Sequence, residues 1–216
     1  IYFYYYKMSL ENTVLNYINN DWDKLYLSPQ LLSTQYEYKL IADKHSFGLY
    51  TIPIFSKKFC KELLEELKKF DNWTINRHRN YPTNDVLIQD FNEDFANLYN
   101  TIIKNIGVDA VNKLFDANVN KEKIIHESFI VRYNPEIQGA LKLHHDASSF
   151  TLLTTLSSKE DYEGGGTYFT EHNCLIKGNQ GDMTIHPGNL THKHGARPII
   201  SGERYVIVSF CKIKYY

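Results

Sequence analysis

Residues 125–133 read Ile-His-Glu-Ser-Phe-Ile-Val-Arg-Tyr, and this stretch decides which class of fold the rest of the chain must join. Apolar or aromatic residues alternate in it with polar ones: Ile125, Phe129, Val131 and Tyr133 against His126, Ser128 and Arg132. A period of two is that of a β-strand, in which successive side chains point to opposite faces. The stretch therefore predicts a strand with two distinct faces.

Further along the chain, turn-forming residues divide the sequence into short extended segments. They stand at Asn134-Pro135, Glu163-Gly164-Gly165-Gly166, Lys177-Gly178-Asn179-Gln180-Gly181-Asp182, Pro187-Gly188 and Ser201-Gly202. Closely spaced strands that follow a helical half predict an α+β domain. We expect its strand half to be a double-stranded β-helix (jelly roll) with flanking N-terminal helices, enclosing a cavity between its two sheets.

The first half of the chain shows the longer period of amphipathic helices. Ser56 is a typical N-cap, and the residues after it predict a helix to about Phe70 with one apolar stripe. The segment Asn92 to Ile106 repeats this pattern. Leu49 to Phe55, rich in β-branched and aromatic residues, predicts a strand before the first of these helices.

We expect one domain over residues 1–216, with a helical N-terminal support over about 1–120 and a jelly-roll core over about 121–216. The aromatic residues in 1–7 suggest a strand that continues from upstream sequence, or an aromatic docking strip. Ser9 to Asn19 predicts a short helix. Because the chain begins at Ile1, we expect it to be a piece of something longer.

Composition limits the classes of function. The 216 residues carry a formal net charge of −1, so no overall field attracts nucleic acid or an anionic membrane. No apolar run approaches the roughly 20 residues that a membrane-spanning helix needs. The cysteines Cys60, Cys174 and Cys211 lack metal-type spacing, and an odd count does not support a disulfide framework. Sequence patterns of nucleotide-binding loops and of zinc metalloproteases are absent from the sequence.

His144 and Asp146 carry the chemistry that the sequence predicts most directly. They lie two residues apart in a segment, Leu141 to Leu156, that we expect to be extended, so both side chains share a face about 7 Å apart. One later histidine would complete a 2-His-1-carboxylate triad, which suits non-heme Fe(II) and leaves positions open. His194 is the preferred third ligand, although His192 shares its face if that piece is extended.

Arg204 favours His194 over its neighbour. It follows His194 by ten residues, at the start of a predicted strand. A dicarboxylic co-substrate that chelates the metal needs a cation for its far carboxylate, and a guanidinium can bind it with two hydrogen bonds. An isolated arginine would be read as a surface ion pair. The order His-x-Asp, distal His, then Arg favours the functional interpretation.

These motifs, taken in order, resemble the C-terminal hydroxylase domain of the procollagen lysyl hydroxylases, which are iron- and 2-oxoglutarate-dependent dioxygenases. The matching stretches are Ile52-Pro53-Ile54-Phe55-Ser56, Tyr81-Pro82-Thr83-Asn84-Asp85, Phe129-Ile130-Val131-Arg132-Tyr133, His144-His145-Asp146-Ala147-Ser148-Ser149-Phe150-Thr151, Asp161-Tyr162-Glu163-Gly164-Gly165-Gly166, His186-Pro187-Gly188, Leu190-Thr191-His192-Lys193-His194 and Gly202-Glu203-Arg204-Tyr205. They extend over most of the chain, and their joint occurrence is highly specific.

The resemblance implies that His144, Asp146 and His194 hold Fe(II). It further implies that Arg204, which we count as a catalytic residue, binds the distal carboxylate of 2-oxoglutarate. Tyr133 matches a tyrosine that reaches the same co-substrate; the alternative is a core tyrosine with a satisfied hydroxyl.

Other positions carry weaker expectations. By strand alternation His145 points away from the ligands and is structural or supporting. His192 is a cavity wall or plain packing. Asp85 is a candidate contact for the substrate lysine or a loop cap. Two positions differ from what animal members of the family tend to have. Leu153 stands where they have an asparagine. Thr167 stands where they have a cysteine, which in those members could form a disulfide with the cysteine that matches Cys174.

The implied activity is hydroxylation of peptidyl lysine at C5 in collagen or collagen-like Gly-X-Lys chains, with 2-oxoglutarate converted to succinate. The resemblance also implies ascorbate as a reductant, a homodimer, and the endoplasmic reticulum lumen of the producing cell. The alternatives are a prolyl or other 2-oxoglutarate-dependent hydroxylase, a non-catalytic collagen-binding jelly-roll module, and a zinc or manganese site on a similar roll.

Overall fold

The computed structural model describes residues 21–75, 77–78 and 80–214. The strand expected in residues 1–7 and the helix expected over Ser9 to Asn19 lie outside the described residues. Within them, no helix is both long and apolar enough to cross a membrane.

The α-helices lie in the first half of the described chain. They are α1 (Trp22–Tyr26), α2 (Pro29–Ser33), α3 (Lys57–Leu67), α4 (Ile88–Phe91), α5 (Glu93–Ile102) and α6 (Val108–Phe115). A π-helical turn, Ile103–Gly107, joins α5 to α6, and 3-10 turns occur at Tyr38–Leu40, Lys121–Lys123 and Lys159–Asp161.

Helix α3 forms where its sequence predicts a helix. The Ser56 hydroxyl accepts a hydrogen bond from the Phe59 backbone N–H, which satisfies one of the unpaired amides of the first turn. The apolar stripe of Phe59, Leu63 and Leu67 is buried. The helix ends at Leu67, slightly before the predicted end at Phe70.

The second predicted helix is longer than expected. It begins after Asn92, whose side chain accepts from the Phe95 N–H, but helical backbone continues past Ile106 to Phe115 through the π-turn. Val108, Val111 and Leu114 are buried in this extension, because the apolar stripe resumes there.

The strands form antiparallel sheets. They are β1 (Asp43–Ser46), β2 (Leu49–Pro53), β3 (Asp85–Leu87), β4 (Ile124–Tyr133), β5 (Leu141–His144), β6 (Phe150–Thr155), β7 (Tyr162–Gly164), β8 (Thr167–Phe169), β9 (Cys174–Ile176), β10 (Asp182–Pro187), β11 (His194–Ala196), β12 (Ile199–Gly202) and β13 (Arg204–Ile213). The major sheet has the order β1-β2-β10-β6-β13-β4-β3, the minor sheet β5-β11-β8-β9, and β12 pairs with β7.

The two larger sheets face each other as the predicted jelly roll requires. One face of β4 carries Phe129, Val131 and Tyr133 toward the space between the sheets, and Ile130 on the other face joins the core shared with the helices. On the minor sheet, Phe169 packs against His186 of the major sheet, with ring centroids 5.0 Å apart. The predicted α+β jelly roll with flanking helices is therefore confirmed.

The division into a helical half and a strand half is less clean than the sequence suggests. Strands β1, β2 and β3 come from the first 120 residues, yet they extend the major sheet at both edges. The helices and this sheet also share one hydrophobic core. The strand predicted over Leu49 to Phe55 is present as β2, which leads directly into α3.

Candidate metal centre

His144 and His194 are brought together by the pairing of two short strands. His144 ends β5, His194 begins β11, and the two residues are direct partners across this antiparallel pair. Their imidazole rings lie 4.6 Å apart. The strand register, which the sequence does not reveal, therefore places the two side chains next to each other.

Asp146 approaches both histidines from the loop that follows β5. Its Oδ1 lies 3.3 Å from His144 Nε2 and 3.6 Å from His194 Nε2. The expected extended segment bends here, because β5 ends at His144 and β6 starts only at Phe150. The predicted approach of the His144 and Asp146 side chains is present, but they are not neighbours on one face of a strand. His144 lies at the end of β5, and Asp146 lies in the loop that follows.

The loop that carries Asp146 is held on two sides. The Asp146 N–H donates to the Gly188 carbonyl at 3.0 Å, and Thr151 donates its hydroxyl hydrogen to Asp146 Oδ2 at 2.6 Å. Since Thr151 donates to the carboxylate, Ser148 in turn donates to Thr151 at 2.8 Å. A Cβ at position 188 would lie 1.9 Å from Ser148 Oγ, so the close approach requires glycine there. These contacts leave Oδ1 as the oxygen that faces the histidines.

Both imidazoles present the same nitrogen to Asp146. His144 Nδ1 lies 2.8 Å from the Lys142 carbonyl oxygen, and His194 Nδ1 lies 2.8 Å from that of His192. A carbonyl only accepts, so each Nδ1 carries the hydrogen and each Nε2 keeps a lone pair. Metal-binding histidines are commonly fixed in this way. The three ligand atoms lie within 4.8 Å of one another, a spacing that fits one metal ion.

The electrostatics of the triad favour a bound cation. Burial raises the pKa of Asp146, but His194, His144 and the Thr151 hydrogen bond outweigh it and hold that pKa well below its usual range. Burial lowers the pKa of His194. For His144, the hydrogen bond and charge of Asp146 overcome burial and raise the pKa. The Asp146 carboxylate is therefore ionised at neutral pH, beside two imidazoles whose Nε2 lone pairs face it.

A cavity of about 400 Å³ opens beside the triad, between the two sheets. Its apolar lining includes Val131, Leu141, Leu153, Ala196 and Val208. Tyr81, His78, Arg77 and Phe210 also line it. Tyr81 packs on the ligand candidate His144, with ring centroids 5.0 Å apart.

Tyr133 lines the cavity, and Arg204 lies beside it, just behind that lining. They are direct partners across β13 and β4, and the guanidinium carbon is 5.5 Å from the centre of the tyrosine ring. Arg204 is only 2% exposed, and among the described residues it has no carboxylate partner. Its Nη2 donates to Thr167 Oγ1 at 3.3 Å, while its buried Nε has no partner within the described residues. Burying an unpaired charge is costly, so this end of the cavity fits an anionic group.

Tyr133 remains a hydrogen-bond donor at any physiological pH. Burial raises its pKa to about 12, more than the nearby Arg204 lowers it. Its side chain lines the cavity, as expected of a residue that reaches a bound ligand.

Three further residues around the site, His145, His192 and Leu153, differ in their relation to the cavity. His145 is exposed and is not part of the metal-binding cluster, but it lines the cavity, so the expectation that it points away from the ligands is wrong. His192 turns away from the cavity, and its Nε2 bonds the Phe47 carbonyl oxygen at 3.2 Å. The packing interpretation of His192 is therefore the one the structure supports. Leu153 lines the cavity as a purely apolar wall.

Asp85 does not face a substrate side chain. It is fully buried, accepts from Arg77 Nε at 2.7 Å, and is bonded to the hydroxyls of Thr83 and Thr74. The loop-holding alternative fits these contacts, and the lysine-binding one does not.

Several residues of the site escaped the sequence reasoning. Thr151 and Ser148 fix the carboxylate, and Thr167 contacts Arg204. His186 is fully buried with its Nε2 4.0 Å from Asp146 Oδ2, and burial with the neighbouring His194 lowers its pKa to about 3. The recurrence of hydroxyl residues directly after His144-His145-Asp146 was a signal for the first two. Nothing local points to Thr167.

Comparison with known proteins gives a consistent picture. The model of the OGFOD2-like domain matches residues 4–115. Human procollagen-lysine,2-oxoglutarate 5-dioxygenase 2 is 33% identical over 205 residues, which are 90% of this chain and 26% of that protein. The procollagen lysyl hydroxylase and glycosyltransferase of Acanthamoeba polyphaga mimivirus is 33% identical over 207 residues, 88% of this chain and 22% of that protein. The chain thus spans about a quarter of the length of these relatives.

Solved structures show the same fold. A viral collagen prolyl hydroxylase from Paramecium Bursaria Chlorella virus-1 matches with a TM-score of 0.51 and 16% identity, over 77% of this chain and 97% of that one. A Pseudomonas putida prolyl-4-hydroxylase matches with a TM-score of 0.58 and 13% identity, over 77% and 93% of the two chains.

Proposed function

The chain belongs to the OGFOD2-like family and is a relative of the procollagen-lysine,2-oxoglutarate 5-dioxygenases, and from this premise we propose that it is an Fe(II)- and 2-oxoglutarate-dependent dioxygenase that hydroxylates C5 of peptidyl lysine in collagen-like chains. The substrate class comes from the names of the relatives.

One observation carries the proposal. A single cavity has the cluster His144, Asp146 and His194 on its wall, and behind it lies an arginine, Arg204, buried without a carboxylate partner in the described chain. A metal alone would not need the arginine. A 2-oxo acid with a second carboxylate needs both, because one end chelates the metal and the other end must be neutralised.

The residues of this chain position the metal and the co-substrate and keep water away from them. The iron, when bound, supplies the activation of dioxygen and the oxidative decarboxylation of the 2-oxo acid. His144 and His194 would hold the ion through Nε2, and Asp146 through Oδ1. Thr151 keeps the carboxylate oriented. The apolar walls exclude water from the side of the cavity where the co-substrate lies.

The aromatic part of the lining would meet the peptide. Tyr81, His78 and Phe210 belong to it, and the guanidinium carbon of Arg77 lies 4.3 Å from the ring centre of Phe129. Among the described residues that line the cavity, Asp146 is the only carboxylate. The ammonium group of a lysine would therefore meet aromatic rings, which can bind cations through their faces.

Prolyl hydroxylation is the second candidate. The same shortage of carboxylates in the described cavity lining favours it, because a proline side chain carries no charge to neutralise. The two candidates share the metal centre and the co-substrate, so only the peptide distinguishes them.

Succinate release from 2-oxoglutarate, with Fe(II) and ascorbate, tests the proposal in the presence of a Gly-X-Lys or a Gly-X-Pro peptide. Mass spectrometry of the same samples should find +16 on lysine, and His194→Ala should abolish it. Hydroxylation of proline alone would favour the second candidate. Metal-loaded, folded protein that forms no succinate with either peptide would instead favour a non-catalytic binding module.

Three further parts of the proposal rest only on the family resemblance of the sequence. We infer ascorbate as the reductant, the endoplasmic reticulum lumen as the compartment, and a homodimer as the assembly. Light scattering of the iron-loaded protein tests the last, and a monomer mass that does not change with concentration would contradict it.

A further inference from the structure

Strands β4 and β13 extend beyond the minor sheet that faces them. Both are ten residues long, whereas the strands of the minor sheet have three or four. Phe129 and Phe210 line the cavity, and the next residues on the same face are Glu127 and Ile125 on β4 and Lys212 on β13. These three are exposed to solvent. The floor of the cavity therefore continues outside it as a shelf formed by Ile125, Glu127 and Lys212.

One charge of this shelf is held by the protein and the other is free. Glu127 Oε1 accepts a hydrogen bond from Arg77 Nη1 at 2.7 Å. Lys212 takes part in none of the ion pairs formed among the described residues. On the opposite sheet Lys142, two residues before His144, is also exposed and also outside those ion pairs. Free ammonium groups on both sides of the metal centre fit a partner that carries carboxylates.

Lys212 lies about one collagen triplet from the metal centre. Thr151, which donates to Asp146, is the strand partner of Phe210, and Lys212 follows Phe210 by two residues. With strands about 4.8 Å apart and a rise of about 3.3 Å per residue, the backbones of Thr151 and Lys212 are about 8 Å apart. Three residues of a polyproline II chain, the repeat of a collagen-like sequence, span about 9 Å. A side chain one triplet from the modified residue therefore reaches the ammonium group of Lys212.

We propose that the shelf binds the substrate chain beside the modified residue, and that Lys212 binds the carboxylate of an acidic residue one triplet away. This inference rests on the proposed function, because it needs a peptide at the metal centre. It narrows the substrate class to collagen-like chains with an acidic neighbour of the modified lysine. The side chain of Ile125, which is 45% exposed, gives the same chain an apolar contact.

The proposal predicts a preference between peptides that differ in one group. Each peptide carries one Gly-X-Lys triplet, with Glu or its neutral isostere Gln three residues before or three residues after the lysine. In one of these two positions, the Glu peptide should bind wild type about 3-fold more tightly than the Gln peptide, the gain expected of an exposed ion pair. The preference should fade at high salt, which screens such a pair.

Fluorescence anisotropy of the labelled peptides, with protein loaded with Mn(II) and 2-oxoglutarate, measures binding without turnover. Lys212→Gln should remove the preference, and Lys212→Glu should reverse it, so that an Arg peptide binds this variant better than the Glu peptide. The matched control is Lys61→Glu, the same change of charge at an exposed position of α3, which packs on the other face of the major sheet. It should keep the wild-type preference.

Equal binding of the Glu and Gln peptides by wild type would overturn the proposal, and so would a preference that survives in Lys212→Glu. A lower mass of Lys212→Glu in light scattering, with unchanged peptide binding, would show that the shelf joins two copies of the chain, and would also overturn it. The proposed function fails separately: a Glu preference in a protein that adds no +16 to lysine would keep the shelf and remove only the lysyl hydroxylase proposal. A wild type that binds none of the peptides would contradict both.

Discussion

His144 and His194 are direct partners across the β5–β11 pair, so the proposed metal ligands are also the residues that join two strands of the minor sheet. Each strand is only three or four residues long, and β11 is hydrogen-bonded to β5 on one side and β8 on the other. A metal bound between them would act as a cross-link at the edge of the cavity. Metal loading and the stability of this sheet are therefore coupled.

Metal binding should raise the thermal stability of the protein. A ligand present at about 100 times its dissociation constant adds about 2.7 kcal/mol to the free energy of unfolding. We expect Mn(II) to raise Tm in differential scanning fluorimetry and EDTA to reverse it. His194→Ala should lose the rise, whereas His145→Ala, a change beside the site, should keep it. A rise that persists in His194→Ala would place the metal elsewhere.

Thr151→Val should weaken metal binding and change the fold little. The valine keeps the volume of the side chain but removes the hydrogen bond to Asp146 Oδ2, so the carboxylate loses its fixed orientation. Loss of such a supporting contact typically costs about 10- to 100-fold in metal affinity. Calorimetric titration with Mn(II) measures it, and Thr151→Ser should restore most of the affinity. An unchanged affinity in Thr151→Val would show that the loop backbone, held by the Gly188 carbonyl, orients Asp146 without Thr151.

Arg204→Met should separate stability from co-substrate binding. In the ligand-free protein Arg204 is a buried charge without a carboxylate partner, and replacing such a group with an apolar one of similar size is often neutral or stabilising. We expect the urea midpoint of the ligand-free variant to be equal to or above that of wild type. The stabilisation of the Mn(II) form by 2-oxoglutarate should disappear. A large loss of stability in the variant would show that the guanidinium supports the fold by itself.

The sequence predicted the fold class and the members of the cluster, because those follow from local patterns. The period of two over residues 125–133 became β4, and His-x-Asp with His194 identified residues that line one cavity. Arg204 is the strand partner of Tyr133, which lines the same cavity. What local patterns do not contain is register. The pairing of His194 with His144 is set between residues fifty positions apart, and it turns His192 toward Phe47.

The absence of register information in local sequence patterns also explains which residues the sequence did not identify correctly. The hydrogen bond from Arg204 to the Thr167 hydroxyl forms only because the strand that begins 37 residues later lies next to Thr167 in the fold. Asp85 was a candidate substrate contact because it lies in a stretch that matches the family and a lysine would need a carboxylate, yet in the fold that carboxylate is already bonded to Arg77, Thr74 and Thr83. Hydrogen-bond partners, unlike hydrophobic periodicity, depend on the whole topology.

Acid should destabilise the protein partly through His126. Burial, together with Lys104, lowers its pKa from 6.5 to about 4, and its ring nitrogens bond Ser128 and Asn100. The unfolded chain therefore takes up this proton first. The contribution of neutral His126 is complete above pH 6.5 and is lost as the pH falls toward 4. Urea midpoints between pH 7.5 and 4.5 should fall less steeply in His126→Gln than in wild type, and parallel curves would contradict the assignment.

Asp85→Asn should destabilise the protein strongly without changing which peptide is hydroxylated. Asp85 is fully buried and pairs with Arg77 Nε at 2.7 Å, and removing one partner of a buried pair typically costs about 3 to 5 kcal/mol. Glu127→Gln is the matched control, because Glu127 bonds the other side of the same guanidinium from an exposed position and should cost less than about 1 kcal/mol. Urea unfolding measures both, and the ratio of lysine to proline hydroxylation in the folded variants measures selectivity. A stable Asp85→Asn variant that loses its lysine preference would show that the carboxylate turns toward the substrate when peptide binds.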